Sequence, residues 1–203
     1  MAAGSTDIEV FAGAPAAEPP RPRVLLVGSA LASGAAAMVV LSLVAVYTHM
    51  RAEVIAGGER WLPEDLTVQL SPGNMGMVTL LMSAVTVAWA VYSLRNDDRV
   101  HAYLAFGLSI LLGIAYIPTV AYGWQQMGVG ITSSTQALLI FTITGLHVAM
   151  TGVGLAFLAV MGFRALGGQL TGRAAEGAYA AAVYWYVTVA VYGVVWYGIT
   201  ITK

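Results

Sequence analysis

The dominant feature of the chain is a repeated alternation between long apolar runs and short polar breaks. The first run, VLLVGSALASGAAAMVVLSLVAVYTH, covers Val24 to His49. The others cover roughly 72–94, 100–122, 135–163 and 179–202. Each reaches the ~20 residues that carry an α-helix across about 30 Å of hydrocarbon. None shows the short two-residue alternation of a membrane β-strand. The pattern predicts an all-α fold: a polytopic membrane helix bundle with five transmembrane helices. Residues 1–23 form a separate segment, expected as a flexible tail, and 24–203 the membrane domain.

Composition sharpens this. Of 203 residues, 59% are hydrophobic and 9% charged, against about 25% charged in a soluble domain. The tail carries Asp7, Glu9 and Glu18, then Pro15, Pro19, Pro20 and Pro22. A secretory leader would instead be basic and then apolar, so no cleavage is expected. Every Asp, Glu, Lys and Arg falls in the tail, a loop or a helix end. The tail side of the membrane holds Arg21, Arg23, Arg95, Arg99, Arg164 and Arg173. The other side holds Arg51, Arg60 and Lys203. Six against three places the tail in the cytoplasm and the C-terminus outside. Tyr47, Trp61, Tyr92, Tyr122, Trp124, Tyr179, Trp196 and Tyr197 lie near helix ends, as an interfacial aromatic belt would.

The candidate chemistry is sparse. There is no Cys, which removes thiol nucleophiles, disulfides and iron–sulfur ligation. No basic patch suits nucleic acid, and no catalytic, cofactor-binding or metal-binding residue set is expected. The three histidines, His49, His101 and His147, do not converge: two sit at opposite membrane sides and His147 lies inside helix four. Three readings of His147 stay open. It can be a neutral imidazole bonded across to another helix or to its own backbone, a contact for a lipid or quinone headgroup, or a haem ligand. Met150, one turn on, cannot serve the opposite axial position of the same iron. Glycines and small residues mark close helix approach: Gly28, Ala30, Ser33, Gly34, Ala35 and Ala37 in helix one, Gly73 and Gly76 in helix two, and Gly145, Gly152 and Gly154 with Thr144 and Thr151 in helix four. Pro118 predicts a bend in helix three. GFRALGGQLTG lacks the order of a nucleotide-binding P-loop.

Four fragments carry a resemblance. TGLH (Thr144 to His147) with Gly154 resembles a TGFH-x-x-H-x-x-x-G run. Tyr184 and Trp185 in AVYWYVTV resemble the start of YWHFVDVVW. RWLPEDL followed by SPGNMGMVTLLMSA resembles a long first loop and an asparagine-marked helix start. LLGIAYIPTVAYGW resembles LG-x-x-F-x-x-x-Q-x-x-E-[YW]. In this order they resemble subunit III of the haem–copper respiratory oxidases, in the short five-helix bacterial form. The resemblance departs at the family's polar positions. Its helix-one carboxylate, which follows a serine, is Gly34 after Ser33 here. Its glutamine and glutamate are Val120 and Gly123. Its second histidine is Met150, and the last-helix histidine and aspartate are Tyr186 and Val189.

The resemblance implies a non-catalytic subunit in a bacterial or archaeal cell membrane. It implies that haem and copper sit in partner subunits and none in this chain. It implies packing against catalytic subunit I, with subunit II and further oxidase subunits nearby. It also implies a bound structural phospholipid and support of oxygen reduction and proton pumping. Thr144, Gly145, His147, Gly154, Tyr184 and Trp185 keep family character and are expected to be structural or lipid contacts along the seam between helices four and five. Two other readings stay open: an accessory subunit of another haem-containing membrane complex such as nitric oxide reductase, and an unrelated membrane transporter scaffold.

Overall fold

The structure, a computed structural model, describes residues 23–170 and 175–202. The tail ahead of residue 23, Arg173 and Lys203 lie outside it. Among the described residues there are five α-helices and no strand: α1 (Val24–Ala56), α2 (Leu70–Arg95), α3 (Arg99–Gln126), α4 (Thr135–Leu166) and α5 (Glu176–Val195). A π-helical turn, Trp196–Ile201, continues α5. All five are long and apolar enough to cross a membrane. A lipid-exposed backbone must satisfy its own hydrogen bonds, and a helix does so within each segment.

Helix α5 is the hub. Some 61% of its spanning window is buried, against 22% to 33% in the other four. It packs on α1, α2 and α4, while α2 pairs closely with α3 and α3 with α4. Helix α1 lies at the margin and commits one stripe, Ser29, Ser33, Ala37, Val40, Val44 and Tyr47, spaced three or four residues apart as one helix face requires. Two polar links hold it to α5. The Ser29 hydroxyl donates to the Ala180 carbonyl at 2.6 Å. The free Leu26 N–H in the first turn of α1 donates to Glu176 at 3.2 Å, which satisfies a donor that has no partner within the helix.

Three sequence expectations change in detail. Helix α1 runs seven residues beyond His49, where His49 and Glu53 pair at 3.3 Å one turn apart. Charges there do not stop a helix that has left the hydrocarbon. Helix α3 holds Pro118 in its interior, where the sequence places it. The aromatic belt is divided. Tyr92, Tyr122 and Tyr197 are exposed, but Tyr47 and Trp61 are buried and meet edge to face with ring centres 5.2 Å apart. The first loop folds inward over the bundle end: Gln136 donates to the Trp61 carbonyl at 3.1 Å, and Thr67 to that of Gln126 at 3.2 Å. The small residues also divide. A Cβ at Gly28, Gly34 or Gly152 would meet nothing within 4 Å, and at Gly145 only Trp124 at 3.9 Å. Those positions face away from neighbouring helices, so a count of small residues overstated the packed surface.

The RNDDR turn shows how short the α2–α3 link is. Asp97 takes a left-handed conformation at φ 53, and Asp98 caps α3 by accepting the His101 N–H at 3.1 Å. The second carboxylate oxygen meets the His101 imidazole at 2.6 Å. The backbone N–H, followed by the imidazole contact, holds the Asp98 carboxyl below its ordinary 3.8. A depressed acid contributes stability above its unfolded-state pKa and loses it as pH falls through the folded value. Asp98→Ala is therefore expected to speed amide exchange in the first turn of α3 at neutral pH, with Asp98→Asn retaining protection. The difference should vanish below the Asp98 titration; a difference that grows in acid would refute the cap.

Candidate functional site

The most enclosed region of the bundle gathers on two α5 side chains, Trp185 and Tyr192. Trp185 is fully buried. Glycines on two helices make its slot. A Cβ at Gly113 of α3 would fall 2.7 Å from the indole, and one at Gly154 of α4 would fall 2.9 Å from it. Either would force the ring out. The indole N–H donates to the Ser83 hydroxyl of α2 at 2.9 Å, and Ser83 donates onward to the Leu80 carbonyl at 2.6 Å. One side chain thus touches α2, α3 and α4.

Two turns further along α5, three rings meet. His147 of α4, fully buried, lies 5.5 Å from the Tyr116 ring and nearly perpendicular to it. Tyr192 stands 5.1 Å from His147 and 5.0 Å from Tyr116. The hydrogen bonds fix the tautomer. His147 Nε2 is 3.0 Å from the Thr188 carbonyl, which can only accept, so Nε2 carries the proton. Nδ1 is then a bare acceptor for the Tyr116 hydroxyl at 2.9 Å. Both ring nitrogens are satisfied in the neutral form. Tyr192 in turn donates to the Gly73 carbonyl of α2 at 3.2 Å. A Cβ at Gly76 would lie 2.6 Å from the Tyr192 oxygen and 3.2 Å from the Tyr116 ring, so glycine at that position admits both tyrosines.

The remaining sequence candidates spread from this centre. The Tyr184 hydroxyl reaches the Met150 carbonyl at 3.4 Å, and its ring borders Gly154. Thr144 turns toward α3: it accepts from the Trp124 indole at 2.9 Å and donates to Ile140 at 2.7 Å. Gly145 takes no part in close contact. His147, Gly154, Tyr184 and Trp185 therefore meet between α4 and α5, while Thr144 serves the α3–α4 contact. Sequence reading missed Tyr116, Tyr192, Ser83, Gly113 and Thr188. Gly76 was noted only as a small residue opening α2. A tyrosine or serine within an apolar run carries no mark of its partner helix, so only the packing reveals them. Among the described residues no group of three or more His, Cys, Asp and Glu side chains is placed to hold a metal ion.

Fold and site together define an integral, multi-pass membrane protein in which His147, Tyr116, Tyr192 and Trp185 are joined to backbone carbonyls or side chains of other helices by hydrogen bonds. The family is given by comparison with known proteins: the model of the family "Cytochrome c oxidase subunit III" matches residues 25–202, and the chain belongs to that family. A probable cytochrome c oxidase subunit 3 of Rickettsia conorii is 35% identical over 109 residues, 53% of this chain and 38% of that protein. The cytochrome c oxidase subunit 3 of Xenopus laevis is 30% identical over 145 residues, 70% of this chain and 55% of its own length. That of Danio rerio is 33% identical over 132 residues, 64% of this chain and 50% of its own. The chain thus spans about half the length of the vertebrate relatives it matches, and less of the Rickettsia one.

Two outcomes test the geometry. Tyr116→Phe strands His147 Nδ1 in a dry site and is expected to cost about 1–3 kcal/mol, read by reversible unfolding in detergent. Tyr116→Phe with His147→Leu should cost less than the sum of the single changes, because the pair is removed together; strict additivity would deny the bond. Gly154→Ala is expected to cost about 1–3 kcal/mol through overpacking on Trp185. Gly152→Ala, two residues away on the open face, should be neutral or slightly stabilising.

Proposed function

We propose that this chain is a non-catalytic, subunit III-like component of a respiratory terminal oxidase, a cytochrome c or quinol oxidase. It seats against the catalytic haem–copper subunit, with subunit II and further oxidase subunits in the same complex. It holds structural phospholipid and sustains oxygen reduction and proton pumping by its partners, while binding no haem or copper itself. The family match over nearly the whole membrane domain carries this reading. The tail lies in the cytoplasm and the C-terminus outside, in keeping with the excess of arginines on the tail side.

The interior supports a scaffold role. His147 spends both nitrogens within the bundle, and the family's acidic positions of the first, third and last helices are Gly34, Gly123 and Val189 here. A proton path needs ionisable groups or water along it. Support for pumping is therefore indirect, through the packing and lipid environment of the catalytic subunit. Thr144, Gly145, His147, Gly154, Tyr184 and Trp185 act in this reading as structural or lipid-adjacent positions.

The test is affinity purification of the tagged chain from its native membrane in mild detergent, with partner mass spectrometry and a haem difference spectrum. A stoichiometric haem–copper subunit and an oxidase spectrum are expected. A different haem protein would redirect the chain to another complex such as nitric oxide reductase, and a haem-free solitary chain would overturn the proposal.

A further inference from the structure

A cavity of about 70 Å³ opens between the α2 start, the α3 end, α4 and the π-helical turn. Its walls include Gly73, Thr119, Val120, Gly123, Tyr192 and Thr200. One water needs only ~10–15 Å³ of such volume, so the space accepts several heavy atoms. Two features create it. Val120 and Gly123 stand where the pattern LG-x-x-F-x-x-x-Q-x-x-E-[YW] carries two long polar side chains. A Cβ at Gly123 would meet only Pro72, at 3.6 Å, so nothing else refills the notch. Ile199 and Thr200 of the π-helical turn form the opposite wall, and π-helical turns are frequent at functional sites.

The polar groups in the walls are specific. Tyr192 spends its hydroxyl proton on the Gly73 carbonyl, and Thr119 spends its proton on that of Tyr116 at 2.6 Å. Both oxygens keep lone pairs free. They lie close together, since one point, a Cβ at Gly76, would be 2.6 Å from the first and 3.2 Å from the second. Thr200 is the converse. It is 7% exposed, and its hydroxyl makes no hydrogen bond among the described residues. Its oxygen would lie 2.8 Å from a Cβ at Gly73. The cavity thus offers acceptors and the Thr200 donor, with the polar side chains of Gln69 and Thr144 also in a largely apolar lining, and no charged side chain among the described residues in its walls.

We propose that this cavity binds the hydroxyl group of a small neutral molecule or lipid moiety. The ligand hydroxyl donates to Tyr192 or Thr119, accepts from Thr200, and leaves its apolar body against Val120, Ile140 and Ile199. A carboxylate or an ammonium finds no counter-charge among the described residues there and is disfavoured. A purely apolar guest leaves Thr200 unpaired.

The probe is the photoreactive alcohol 3-azibutanol, applied to the full chain in its purified native complex, with adducts mapped by mass spectrometry. Saturable labelling on the cavity residues, displaced by 1-butanol, is expected. Thr200→Val keeps the shape and removes the donor; it should weaken displacement about fivefold, the worth of one hydrogen bond. Gly123→Leu should abolish the labelling by filling the notch, and Gly107→Leu, on an open face, should leave it intact. Native mass spectrometry separates the sources. A hydroxyl-bearing lipid retained by the wild type and lost in Thr200→Val identifies a lipid ligand, and labelling without retained lipid identifies a free alcohol. Non-saturable labelling scattered over lipid-facing positions, or displacement unchanged in Thr200→Val, would overturn the proposal. Labelling is read on this chain alone, so it stands or falls apart from the oxidase assignment.

Discussion

The bundle depends on the seating of one indole. In a bilayer, lipid tails are as apolar as the helix surfaces, so helices gain little from hiding them and rely on close contact and interhelical hydrogen bonds. Trp185 supplies both. Its ring enters a slot that exists only because residues 113 and 154 lack a Cβ, and its N–H finds Ser83 on a third helix. Removing the slot displaces the ring, and removing Ser83 strands a buried donor. This contact ties α5 to three helices, and the packing of α1 against α5 completes its enclosure.

The polar network follows from the same economy. A buried imidazole between membrane helices must satisfy both nitrogens or pay for desolvation. His147 does so with a carbonyl on α5 and a tyrosine on α3. The resemblance set out from the sequence has phenylalanine at the register of Tyr116, a glutamate at Gly123 and an aspartate at Val189. Here the two charged positions carry glycine and valine, and the phenylalanine position carries the Tyr116 hydroxyl. Replacing buried ionic groups by well-packed neutral ones is often neutral or stabilising, so the bundle can lose the family's carboxylates and keep its architecture.

The same glycines serve different ends. Gly73 and Gly76 admit Thr200 and Tyr192 to the α2 surface. Gly28, Gly34 and Gly152 face open space. Pairwise spacing could not separate these groups, because a glycine declares that an approach is allowed, not that a neighbour makes it.

The five spans, the loops between them, the placement of charge at their ends and the four fragments that resemble subunit III are all legible in the sequence. These are one-dimensional consequences of hydrocarbon thickness and of the cost of burying charge. His147 and Trp185 were visible as unusual residues in apolar runs. Their partners were not. The central place of α5, the extension of α1 to Ala56, the inward turn of Trp61 and the closing of Tyr116 and Thr188 on His147 emerge only from the packing. Those choices depend on the rotation of each helix about its own axis. The hydrophobic pattern leaves that rotation undefined when a helix is apolar on every face, and only contact between neighbours fixes it.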